Sequence, residues 1–167
     1  MKFIIVSLLT LVSSVSFSQI KTNFTPQDYS KFLLKEAVPA DVNKDNHILI
    51  VLSPFAEKKV KENEEISEIF KTYYKGKFIV APNGTDMMAN KIYQDKNIYK
   101  YFLLINGSYE RKVHLHYSLV LMNRAEIDEK DPKTFIKGII KTGLEDHHSK
   151  FHGMLSFYAE KLGEGKE

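Results

Sequence analysis

Five of the six histidines in this chain fall into two clusters. Imidazole is the side chain here best suited to holding a metal ion. His114 and His116 stand two apart in an apolar stretch, so a strand would turn both to one face. His147, His148 and His152 gather near the C-terminus. On a helix, His148 and His152 share a face at i,i+4, with Glu145 one turn earlier. Two such pairs on neighbouring elements suit zinc, copper or nickel bound through imidazole. The expected metal set is therefore His114, His116, His148 and His152, with zinc or copper as the cofactor. The competing reading is that the first pair faces solvent on an edge strand and the second punctuates a polar helix face.

Other chemistry finds less material. There is no cysteine, which removes thiol redox chemistry, cysteine nucleophiles, iron–sulfur clusters and thiolate zinc sites. The first strand is followed by Ser53-Pro54-Phe55-Ala56, without the glycines of a phosphate loop or dinucleotide fingerprint. Asn83-Gly84-Thr85-Asp86 reads as a turn and a cap. Ser53 stands where open α/β sheets place ligand-binding groups, but it lacks the flanking glycines of a nucleophile elbow. The paired carboxylates Glu64-Glu65, Asp128-Glu129 and Glu145-Asp146 lie in hydrophilic surroundings and read as surface. No catalytic residue is nominated.

The N-terminus reads as an address. Met1-Lys2 is followed by the apolar run Phe3 to Val12 and by small residues ending at Ser16 and Ser18. This is the order of a secretory signal peptide, cut before Gln19. The expectation is a periplasmic or secreted protein, with residues 1–18 removed, a single domain over 19–162 and a tail over 163–167. Taking 18 from 167 residues leaves 149, enough for one substantial core. The formal charge of +3 falls to +2 with Lys2. Acids and bases are interspersed and no basic stripe marks a nucleic-acid binder. No later stretch is long enough to be a transmembrane helix.

Periodicity supplies the elements that would position these residues. Thr25-Pro26 starts a helix to about Ala37, with Tyr29, Phe32, Leu33 and Ala37 on one face. His47 to Leu52 is an apolar run suited to a strand buried on both faces, and Ser53-Pro54 turns the chain into a helix to Tyr74. Its stripe is Val60, Ile66, Ile69, Phe70 and Tyr73. A strand over 77–81 and a short helix over 85–93 follow, the latter with Met87, Met88 and Ile92 inward. Tyr99 to Ile105 and Val113 to Met122 are strands close enough in sequence to pair antiparallel, with a turn at Asn106-Gly107-Ser108. Asp131-Pro132 opens a helix whose apolar face is Phe135, Ile136, Ile139, Ile140 and Leu144. A last helix covers 151–162. Glu145 to Lys150 is either continuous helix or a break.

This order predicts a single three-layer α/β domain. Its sheet is mainly parallel, of about four strands that include an antiparallel edge hairpin, in a Rossmann-like arrangement. From Ala37 to Leu162 the topology also resembles a thioredoxin-like fold. That resemblance places Ser53, Pro54, Phe55 and Ala56 where the family carries its two cysteines. No proline lies between Pro82 and Pro132, where the family has its cis-proline. The resemblance implies a binding module without redox activity. The functional expectation is an exported, non-catalytic module that binds a protein or small ligand through exposed aromatics, with Tyr73, Tyr74, Tyr99, Tyr101 and Tyr109 as candidates. The alternative is a histidine-based metal protein or metal-dependent enzyme.

Overall fold

The apolar run after His47 becomes the strand between the parallel neighbours of the sheet. The computed structural model describes residues 27–85, 90–110, 114–128, 131, 133–147 and 150–164. The leader-like residues 1–18, Met87 and Met88 lie outside them. Strand β1 (Ile48–Ala56) pairs in parallel with β2 (Lys77–Asn83) on one side and β3 (Tyr101–Glu110) on the other. β3 pairs antiparallel with β4 (His114–Asn123), and β4 with β5 (Ile139–His147). The result is a five-stranded mixed sheet in the order β2-β1-β3-β4-β5. The expected count of four strands is one short.

Helix α2 (Val60–Tyr73) makes the crossover from β1 to β2, and helix α4 (Phe151–Glu164) packs beside it. Ile66 and Phe70 of α2 and the buried side of α4 meet Leu49, Val51, Leu103, Ile105, Tyr117, Leu119 and Leu121 in one large core. Strand alternation explains the selection, since every second residue of a strand faces the same way. The other sheet face has a smaller cluster of Ile50, Ala81 and Phe102. It is covered by Tyr93 and Tyr99 of the β2–β3 connection and contains no α-helical residue. Among the described residues, the α-helical cover expected on both faces is therefore seen on one. Arg124 pins that connection: its buried guanidinium donates to the carbonyls of Tyr93 and Tyr99 and lies over the Phe102 ring.

Four local expectations change. First, among the described residues helix α1 is Gln27–Ser30, and its expected start at Thr25-Pro26 lies outside them. The Tyr29 carbonyl accepts from Phe32 and Leu33, and the chain then leaves the helix so that the Leu34 amide reaches the Thr142 carbonyl of β5. Phe32, expected inward, is 60 % exposed. Second, Ser53-Pro54 lies within β1, and the register with β2 shifts between Leu52 and Ala56. Proline donates no ladder bond, so a strand that contains it is interrupted there.

Third, Asn106-Gly107-Ser108 is strand, paired through to Glu110↔His114. A Cβ on Gly107 would stand 3.1 Å from the Tyr117 ring. The glycine thus marks a close approach rather than a turn. Fourth, the helix expected from Asp131 shortens to α3 (Thr134–Gly138), and Ile139–His147 is strand. Ile139, Ile140 and Thr142 are β-branched and suit a pleated surface better than a helix. Between Val120↔Lys141 and Ser118↔Glu145, β5 takes four steps where β4 takes two. That even excess keeps the alternation of β5 in phase on both sides of the bulge. Gly143 sits inside it at φ +74°, against the Phe32 carbonyl.

Candidate functional site

A groove of about 840 Å³ opens where the N-terminal segment passes the start of β5, within the volume range usual for ligand sites. One wall is Leu34, Lys35, Glu36, Val38, Pro39 and Ala40; the other is Lys137, Ile139, Ile140 and Lys141. Tyr101 and Asn123, at the ends of β3 and β4, close it. The apolar surfaces come from leucine, valine, proline and isoleucine, and three lysines face one glutamate. Lys137 and Lys141 are exposed and make no ion pair among the described residues.

The N-terminal wall is irregular in backbone yet firmly held. The Leu34 amide donates to the Thr142 carbonyl at 3.0 Å. The buried Tyr158 hydroxyl donates to the Ala37 carbonyl at 2.6 Å, and the Val42 carbonyl accepts from the Tyr74 hydroxyl at 3.3 Å. Asn43 Nδ2 donates to the Gly163 carbonyl at 3.0 Å. Carbonyls that a helix would have used internally are taken by tyrosines of the core, as buried backbone groups require. Burial pushes the Tyr74 hydroxyl up to about 12 and the Tyr158 hydroxyl still higher. Both therefore remain neutral donors at ordinary pH.

Below this wall sits a polar cluster. Asp41 Oδ1 accepts from the Tyr101 hydroxyl at 2.6 Å and Oδ2 from Lys100 Nζ at 2.5 Å. His47 Nδ1 lies 2.6 Å from the Asp41 carbonyl oxygen. Burial acts against the Asp41 charge, but the bonds from Lys100 and Tyr101 outweigh it and hold the carboxyl below its usual value. Burial and the Asp41 carboxylate push the Tyr101 hydroxyl up. The cluster orients Tyr101 at the groove. A phenol so firmly protonated is a poor base, so its chemistry is that of a fixed donor and an apolar ring.

The histidines are divided by the sheet. His116 stands directly opposite His147 across β4 and β5, and their ring centroids are 4.0 Å apart. Neighbouring Tyr117 enters the helical core, so alternation sends His116 to the other face. His152 begins α4 on the helical side, with Nε2 3.6 Å from Glu65 Oε2 of α2. His116 and His152 are therefore not brought together. His114 has a place in the ladder opposite Glu110; His148 lies outside the described residues. Among the described residues, no three His, Asp or Glu side chains converge as a metal group.

Ser53 is buried, and its Oγ accepts from the Phe55 amide at 3.1 Å, a turn-like local bond inside an interrupted strand. Of the surface acids, Asp146 is half-buried and accepts from the Tyr29 hydroxyl at 2.6 Å. Among the expected aromatics, Tyr74 and Tyr101 are buried and Tyr73 is 42 % exposed. Tyr109 has no described side chain. The groove lysines were missed because nothing in their local spacing marks them; only folding unites residues 34–40 with 137–141.

Among the described residues, no helix is long and apolar enough to cross a membrane. Comparison with protein-family models, with curated proteins and with solved structures finds no match to this chain.

Proposed function

We propose that this protein is an exported, non-catalytic α/β binding module whose ligand is an anionic amphiphile, held in the groove between residues 34–40 and 137–141. The observation that carries the reading is the groove's composition: an apolar lining of Leu34, Val38, Pro39, Ile139 and Ile140, rimmed by Lys35, Lys137 and Lys141. Ligand sites are mainly apolar with a few placed polar groups. Lysine ammonium groups serve as point charges for a carboxylate, sulfonate or phosphate head. The stapled wall adds pre-organisation, which limits the ordering entropy lost on binding. The leader-like pattern of the first 18 residues supports export.

The test is a displacement titration. A fluorescent fatty acid is bound to the full chain and displaced by saturated fatty acids of rising length. Saturable binding is expected, tightening with chain length as more methylenes are buried. Reversing two charges with Lys137→Glu and Lys141→Glu should weaken it about tenfold or more, a change of about 1.4 kcal/mol. The uncharged alcohol of the same chain length should displace the probe poorly. Equal displacement by acid and alcohol, or unchanged affinity in the double variant, would remove the anionic site.

A further inference from the structure

We propose that His116 and His147 form a two-imidazole metal site on the sheet face away from the helices, taking Cu²⁺ ahead of Zn²⁺. The site is independent of the groove. Its residues are direct partners in the β4–β5 register. Their rings are in contact, with centroids 4.0 Å apart and planes tilted by 51°. Tyr117 and Leu144 enter the helical core, and Asp146 meets Tyr29 of that same side. His116 and His147 alternate with these residues, so they share the other face. His147 is exposed and His116 partly so, which leaves water free to fill the remaining coordination positions.

The distances suit chelation. Two imidazole nitrogens on one ion, each at about 2.0–2.1 Å, stand roughly 3–3.4 Å apart. Cross-strand partners hold their Cβ atoms about 4.5–5.5 Å apart. Side-chain torsion alone can then bring rings already in contact to that span. The backbone is fixed, because β4 is paired on both edges. Imidazole pairs accept zinc, nickel and copper, and divalent affinity peaks at copper. His152, against Glu65 on the helical side, has no part in the site.

The experiment is calorimetric titration of Cu²⁺, and separately Zn²⁺, into the metal-stripped full chain in a non-chelating buffer. Paramagnetic resonance of the copper-loaded protein is recorded alongside. One saturable Cu²⁺ equivalent is expected, tighter than Zn²⁺, with splitting from two equatorial nitrogens. Either His116→Gln or His147→Gln should weaken it at least about tenfold, since even outer-shell changes act on that scale. His152→Gln should leave it unchanged. Absence of saturable copper binding would overturn the proposal. So would affinity kept in both ladder variants, or a wild-type spectrum without two nitrogen ligands. That last result needs no variant and does not depend on how the substitutions fold.

Discussion

Asp41 shows how one side chain can fix the chain beside the groove. Its carboxylate takes a proton donor from β3 and a lysine beside it, and its own carbonyl oxygen meets His47. Its carboxyl is held below the ordinary value of 3.8, so the folded protein binds this proton less readily than the unfolded chain. The stability it contributes is fully present above that value and is lost as pH falls through the lower folded one. Asp41→Asn should lower the melting temperature at neutral pH. It should also flatten the acid limb of a stability-against-pH curve measured by denaturant titration between pH 6 and pH 2. An unchanged acid limb would mean that Asp41 is not the linked group. Little at this scale was legible beforehand. Asp41 lay in what read as a polar link, and its partners stand about sixty residues away. The shared face of His114 and His116 could be derived from strand alternation, whereas the partner of His116 could not. His147 was assigned to a segment of unresolved type, so its place in a ladder was invisible.

Among the elements, β5 decides most. It adds the fifth strand, supplies one wall of the groove and places His147 opposite His116. Its sequence, Ile-Ile-Lys-Thr-Gly-Leu, satisfies a helical stripe and a strand almost equally. Tertiary pairing with β4 settles the matter, as it does for short apolar runs generally. The strands β1 to β4 were legible from their apolar runs, although the turn-like Ser53-Pro54 and Asn106-Gly107-Ser108 lie inside β1 and β3. The first helix was not, because beyond Ser30 its continuation gives way to pairing of Leu34 with Thr142. The bulge is the most testable part of β5. Gly143 has φ +74° and its α-carbon faces the Phe32 carbonyl. Gly143→Ala should destabilise the fold by about 1–3 kcal/mol through backbone strain and should also disturb the groove wall at Leu34. Equilibrium unfolding in urea measures the first. A loss of fatty-acid affinity larger than that of a surface glycine variant such as Gly84→Ala measures the second. Gly84 also has positive φ but open space around it, so it controls for strain without contact.

At the scale of the whole molecule, the two faces of the sheet differ. The helical face carries the large core and, through Ala37 and Val42, the staples of the N-terminal segment. The other face carries the thin cover of Tyr93 and Tyr99 and the exposed edge of β4–β5. The class of fold was legible from the alternation of strands and helices, but the distribution of cover was not. Helices α2 and α4 both read in sequence as helices with one apolar face, and only their packing on each other shows that they share a side of the sheet. The groove lies at the start of β5 and the histidine pair at its end, so the two proposals fail or stand independently. The binding account makes its sharpest claim about place. Chemical shifts of the isotope-labelled full chain, followed while laurate is titrated, test it most directly. Saturable shifts are expected at Leu34, Ala40, Ile139, Ile140 and Lys141, with Asn83 and Gly84 at the end of β2, on the opposite edge of the sheet, still. Shifts centred on that opposite edge, or no saturable shift anywhere, would contradict a ligand site in the groove.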